Sequence, residues 1–192
     1  MKNPNISKKI LKWYDNNKRE LPWRKPVSKK QKEYFTLVSE FMLQQTQVKT
    51  VIPYFKNFLN KIPNLKKLSM VPNAKLMKCW EGLGYYSRAR NLKKSAKKII
   101  LEFNGNLPCT VDELEALPGI GKYTSRAIMA IVFNKPIIPL DGNVERILKR
   151  VFFLKNDIEI SKENIIKKKI FFRKSNGASE YAQAIMEIGA LI

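Results

Sequence analysis

Apolar residues return along this chain every third or fourth position, and clean period-two alternation is scarce, so the pattern predicts helix nearly throughout. Candidate helices run over roughly 7–19, 31–46, 48–60, 73–81, 86–103, 111–116, 123–133, 143–154, 161–173 and 178–191. Pro22, Pro26, Pro53, Pro63, Pro72, Pro108, Pro118, Pro136 and Pro139 fall at boundaries or first turns, where a fixed φ and a missing donor do least harm. Connections are short, with no internal repeat and no low-complexity linker. Residues 155–174 are lysine-rich in the manner of a solvated helix face. The fold class is all-α.

Within 31–46, Tyr34, Phe35, Leu37, Val38, Phe41 and Met42 share one broad stripe at 100° per residue and form the predicted core face. Glu40 falls opposite, with Gln44 one turn on and Leu43 beside them. That face carries no lysine in a chain otherwise rich in it. Taken alone, Glu40 reads either as a solvent-facing glutamate or as a carboxylate turned to a cleft.

Two further stretches carry candidate chemistry. Leu117-Pro118-Gly119-Ile120-Gly121-Lys122-Tyr123-Thr124 reads as two helices joined by a Gly-Ile-Gly hairpin. Such a turn lets the backbone approach a partner closely, and the amides opening the next helix, beside Lys122, suit a phosphate. Pro139-Leu140-Asp141-Gly142-Asn143-Val144 then sets an aspartate at another helix start. The plainer alternative is an ordinary helix turn followed by an aspartate N-cap. A third block, Trp80-Glu81-Gly82-Leu83-Gly84-Tyr85-Tyr86-Ser87-Arg88-Ala89-Arg90, displays two tyrosines on a glycine turn, followed by two arginines. Aromatic tips beside cations suit wedging into a base stack and holding its backbone, although a tyrosine pair is also at home in a core or on a plain surface.

Composition narrows the chemistry. The chain has 192 residues, 44% hydrophobic, enough for one large domain or two small lobes. Its formal charge is +21, as expected for a nucleic-acid partner. Lysine far outnumbers arginine, as in proteins from AT-rich genomes. Such drift raises glutamate as well, yet Asp and Glu total only 16, so the acid deficit points to a polyanion. There is no histidine, which removes Ser–His nucleophiles, histidine bases and histidine metal ligands. Cys79 and Cys109 are the two cysteines, too few for a four-thiolate zinc or iron–sulfur site. No apolar run approaches transmembrane length, and the basic start lacks a signal-peptide core. A soluble cytoplasmic protein that does not contact membranes is expected.

These blocks, in this order and spacing, resemble the helix-hairpin-helix DNA glycosylases related to endonuclease III, and within them the MutY-type adenine glycosylases. The resemblance runs from Leu21-Pro22-Trp23-Arg24 to Ala184-Ile185-Met186-Glu187-Ile188-Gly189-Ala190. It implies a two-lobed fold, with a six-helix lobe at 26–136 containing the helix-hairpin-helix at about 114–130. The second lobe would comprise 1–25 plus 137–192, with a DNA cleft between the two.

The resemblance assigns Glu40 as the acid that protonates adenine N7 and Asp141 as the carboxylate that stabilises positive charge developing on the sugar. Asn143 assists Asp141. Physical chemistry also asks for two carboxylates in unlike environments around an oxocarbenium-like transition state. Burial of Glu40 under a flipped base would favour its protonated form. Relatives that also cut the strand carry a Schiff-base lysine at the position of Tyr123. A tyrosine forms no imine, so a monofunctional enzyme is expected.

Trp23, Arg24 and Leu43 would line the adenine pocket, with Gln45 and Tyr85 as wedges in the stack. Gln44, Arg88 and Thr124 are further DNA contacts, while Gly119, Gly121 and Lys122 grip a phosphate, with a monovalent cation possible on the hairpin carbonyls. The expected partner is double-stranded DNA with adenine opposite 8-oxoguanine or guanine, bound by a monomer near the nucleoid. Alternatives are a mismatch glycosylase for another base such as thymine, or a non-catalytic DNA-binding fragment. Relatives continue into four cysteines that hold a [4Fe–4S] cluster and then into a lesion-recognition domain. This chain stops at Ile192, about where the first of those cysteines would come, so the chain itself is expected to ligate no cofactor or metal.

Overall fold

Local signals start several of the helices. Ser28 accepts a hydrogen bond from the Gln31 amide, Asn64 from that of Lys67 and Thr110 from that of Glu113, each satisfying an amide that the helix leaves open. In the computed structural model, which describes residues 5–152 and 177–192, the helices are α1 (Asn5–Asn17), α2 (Lys29–Leu43), α3 (Val48–Lys61), α4 (Leu65–Met70), α5 (Asn73–Trp80), α6 (Ser87–Glu102), α7 (Val111–Glu115), α8 (Lys122–Ile131), α9 (Gly142–Phe152) and α10 (Ala178–Leu191). A 3-10 turn covers Pro22–Arg24. All regular elements among the described residues are helical, and none of these helices is long and apolar enough to cross a membrane.

The differences from the sequence pattern are local. α4 and the 3-10 turn are additions, too short for periodicity to register. The helix expected over 31–46 ends at Leu43, because Gln44 leaves the helical region and Gln45 takes a left-handed φ of 58°. Pro53 stands inside α3 rather than at a boundary. The helix expected over 161–173 and the lysine-rich stretch 155–174 lie outside the described residues.

The chain forms two compact units: Glu20–Ile128, and Met1–Arg19 together with Met129–Ile192. In the first, α2 is packed by α3, α6 and the 3-10 turn. Phe41, Phe55, Phe58, Trp80, Leu92 and Leu114 are fully enclosed, and Phe58 meets Trp80 edge-on at 6.0 Å between ring centroids. The Tyr34 hydroxyl donates to the Ile62 carbonyl at 2.6 Å, joining α2 to the end of α3.

In the second unit, α10 packs on α1 and α9 around Ile138, Val144, Leu148, Tyr181 and Ile185. Its polar anchor is Glu187, 1% exposed. That carboxylate accepts from Arg19 Nε at 2.7 Å, Arg19 Nη2 at 3.1 Å and the Arg19 backbone amide at 2.9 Å. A bidentate geometry of this kind is what makes a buried ion pair tolerable.

Candidate nucleic-acid interface and active-site residues

The hairpin between α7 and α8 is built from inside. Leu117 and Ile120 plug it into the core, Ser95 Oγ of α6 donates to the Pro118 carbonyl at 2.7 Å, and Gln44 Nε2 reaches the Gly119 carbonyl at 3.2 Å. Gly119 has φ 82°, and an added Cβ would stand 2.8 Å from both Phe41 Cε1 and Asn91 Cβ. Gly121 has open space at the same test, and it and Lys122 are exposed at the start of α8. The two glycines therefore differ in kind: the first permits the turn and its packing, and the second leaves the outer face clear.

Gly119→Ala should cost about 2–4 kcal/mol, from a left-handed β-carbon and overpacking against a core ring. Gly121→Ala should be nearly neutral. Denaturant unfolding of the two variants side by side checks this, and equal losses would contradict it.

In the second unit, Asp141 caps α9. Its Oδ1 accepts the Val144 amide at 2.7 Å and its Oδ2 accepts Asn143 Nδ2 at 3.2 Å. Arg146 Nη2 donates to Asn143 Oδ1 at 3.1 Å and also to the Gly189 carbonyl. The carboxylate and the amide beside it are thus each held in one orientation.

Glu40 lies on α2 and is 5% exposed. The helix is buried on both faces, with Glu33, Thr36 and Ser39 enclosed as well as the apolar stripe. Glu40 is accordingly a buried carboxylate engaged by neighbouring groups, not one on an open face.

Residues 38–171 match the HhH-GPD superfamily base excision DNA repair protein family. The chain belongs to this family. It is 41% identical over 184 residues to the adenine DNA glycosylase of Buchnera aphidicola subsp. Baizongia pistaciae, covering 95% of this chain and 51% of that protein. It is 44% identical over 147 residues to the adenine DNA glycosylase of Homo sapiens, covering 74% of this chain and 27% of that one. The chain thus spans about half the length of the bacterial relative and less of the mammalian one.

Among solved structures, a thermostable thymine-DNA glycosylase superposes with a TM-score of 0.81 at 23% identity, covering 100% of this chain and 87% of that one. A trapped endonuclease III–DNA covalent intermediate gives 0.73 at 22%, covering 96% and 82%. At these identities the likeness shows the HhH-GPD fold and nothing narrower.

Seen as an HhH-GPD chain, several expected residues take specific places. Gln44 bridges the end of α2 to the hairpin and to Thr124, whose Oγ1 it approaches at 3.5 Å. Thr124 is buried, so it supports the hairpin rather than offering a free surface donor. Trp23 stacks edge-on to Phe55 at 5.3 Å, while Arg24, Leu43 and Tyr123 are half-buried. Gln45 and Tyr85 are exposed, and both are non-glycine residues with left-handed φ, 58° and 46°.

Arg88 departs from expectation. It was expected to hold the DNA backbone, but it is 6% exposed and its guanidinium is spent on carbonyls inside the protein. A basic residue in the first turn of a helix reads as solvent-facing, and tertiary packing overrides that here.

Arg146 and Gly189 are parts of the Asp141 site that sequence reasoning did not assign. The i,i+3 spacing of Asn143 and Arg146 was the available signal for the first. A Cβ on Gly189 would stand 2.7 Å from the Asn143 carbonyl oxygen, and no local pattern announces that.

The four-thiolate cluster of the resemblance does not fit residues 1–192. Cys79 is buried in α5 and Cys109 is exposed before α7, and they supply two ligands where four are needed.

Proposed function

We propose that this chain carries the base-removing part of an adenine DNA glycosylase, hydrolysing the N-glycosidic bond of adenine opposite 8-oxoguanine or guanine in duplex DNA. The observation that carries the proposal is 41% identity over 184 residues to a protein of that name. The local geometry supports it: a buried carboxylate at Glu40, an oriented one at Asp141 and a hairpin with a clear outer face.

A base inside a duplex is out of reach, so the target nucleotide is flipped out. Glu40 donates a proton to adenine N7 as the C1′–N9 bond breaks, and adenine leaves neutral with the bonding electron pair. Asp141, held by the Val144 amide and Asn143, faces the positive charge that develops at C1′. Water then adds at C1′ and gives up a proton, leaving an abasic site. Tyr123 stands where strand-cutting relatives have lysine, so the reaction ends at hydrolysis.

The hairpin amides and Lys122 grip a phosphate. Pro118 and Gly119 carbonyls already accept side-chain bonds, so a monovalent cation would use the lone pairs left over and add positive charge there. No chemical step runs through it.

The test is single-turnover incubation at low salt with duplexes carrying adenine opposite 8-oxoguanine, adenine opposite guanine, and thymine opposite guanine. Adenine release from the first two, with strand breaks only after alkali, is the expected result. Thymine release would overturn the proposal, as would binding with no release. Breaks without alkali would overturn its monofunctional part.

A further inference from the structure

Arg88 is nearly enclosed, yet its recorded partners are carbonyls, one hydroxyl and two aromatic rings. Nη1 donates to the Met42 carbonyl at 2.8 Å, the Phe41 carbonyl at 3.4 Å, Thr46 Oγ1 at 3.0 Å and the Gln44 carbonyl. Nη2 donates to the Leu83 carbonyl at 3.2 Å and the Gly84 carbonyl at 3.1 Å. The guanidinium carbon lies 5.7 Å from the Trp80 ring centroid and 5.2 Å from that of Tyr85. One planar fork therefore ties the C-terminal end of α2 to the turn that opens α6.

Each of those two turns presents an exposed residue in a backbone conformation that L side chains rarely adopt: Gln45 at φ 58° and Tyr85 at φ 46°, the tyrosine 61% exposed. Such conformations persist when the surroundings over-determine them, and they cluster where geometry serves a task. Here the guanidinium is the shared restraint. It donates to carbonyls of both turns from its two Nη groups, and the Tyr85 ring lies against it.

We propose that Arg88 is a positioning residue that locks the Gln44–Thr46 and Gly82–Tyr85 turns at one spacing, so that Gln45 and Tyr85 present a preformed two-part wedge to a base stack. The wedge's task rests on the function proposed above; the lock itself does not. Being buried, Arg88 contributes through shape, not through contact with phosphate. Lysine cannot replace it, since a point charge lacks the fork that reaches both turns.

Arg88→Lys decides the matter in two measurements. In the free protein, hydrogen exchange should quicken about tenfold at the amides of both turns together while the rest of α6 holds. Acceleration at one turn only, at neither, or throughout the unit overturns the lock.

With DNA, release of adenine opposite guanine should fall about 10²-fold, the scale on which small misplacements act. On a duplex with an abasic nucleotide opposite the adenine, where little stacking resists the wedge, the loss should shrink to a few-fold. Equal losses on both duplexes would overturn the wedge role. A fall of about one in the slope of log affinity against log salt would instead make Arg88 a phosphate contact. If the unsubstituted protein releases adenine from neither duplex, the proposed function fails, and the exchange experiment still decides the lock.

Discussion

Glu40→Gln is expected to lower single-turnover adenine release by between about 10²- and 10⁴-fold, the usual contribution of a positioned general acid, while duplex affinity stays within a few-fold. The amide keeps the volume and most of the hydrogen-bonding shape of the carboxyl group, so the enclosed end of α2 has no cavity to fill. It has no acidic proton, so adenine would have to leave without protonation at N7. Glu40 is 5% exposed, on a helix whose neighbouring positions are enclosed on both faces, so bulk water has little access to the carboxyl group.

Thermal unfolding must accompany the assay. An unchanged midpoint with lost release assigns the loss to chemistry. Release at the unsubstituted rate would remove Glu40 from the reaction and leave its burial a matter of structure. A shared loss of stability and DNA binding would assign the lost release to folding instead of chemistry.

The place of Glu40 shows how far the amino-acid pattern reaches. The hydrophobic stripe of α2 is real, and Tyr34, Leu37, Val38, Phe41 and Met42 are all in the core. A helical wheel shows which face is apolar, but not that elements also cover the other face, which is why the pattern alone leaves Glu40 between a solvent-facing and a cleft-facing reading. The hairpin was legible because Leu117 and Ile120 flank a Pro-Gly turn whose geometry needs glycine. Yet Gly119 and Gly121 look alike in the sequence, and only the packing of Phe41 and Asn91 separates them.

Asp141 was legible as a cap because short polar side chains before an apolar run have few other uses. α4 was not, at six residues. The change between the two compact units was hidden as well: it falls between Ile128 and Met129, inside α8, where neither proline nor glycine marks it. Arg88 was misread for a deeper reason. A sequence prices an arginine as if it were in water, and its worth here comes from carbonyls contributed by a helix more than forty positions earlier.

Gly189→Ala is expected to destabilise the unit that carries Asp141 by about 3 kcal/mol, at the upper end of overpacking costs, and to lower adenine release about 10²-fold even where the protein remains folded. The Cβ would meet the Asn143 carbonyl oxygen at 2.7 Å and its carbonyl carbon and Cβ at 2.8 Å. Two of these three atoms are backbone, so no rotamer change relieves the contact, and α10 must back away from the start of α9. That start holds the oriented pair: Asn143 bonds Asp141 Oδ2 on one side and Arg146 on the other, and Arg146 also spans to the Gly189 carbonyl. Pushing α10 outward therefore pulls on Asn143 through two routes and turns the carboxylate it steadies.

Gly142→Ala is the control for stability, since a Cβ there meets nothing within 4 Å although it lies next to Asn143 in the chain. Unfolding midpoints for the two variants, with single-turnover release measured well below both, separate the effects. Equal stability of Gly189→Ala and Gly142→Ala would show that the α9–α10 approach is looser than the backbone contacts require. A destabilised Gly189→Ala that excises normally would show that the orientation of Asp141 does not depend on that approach.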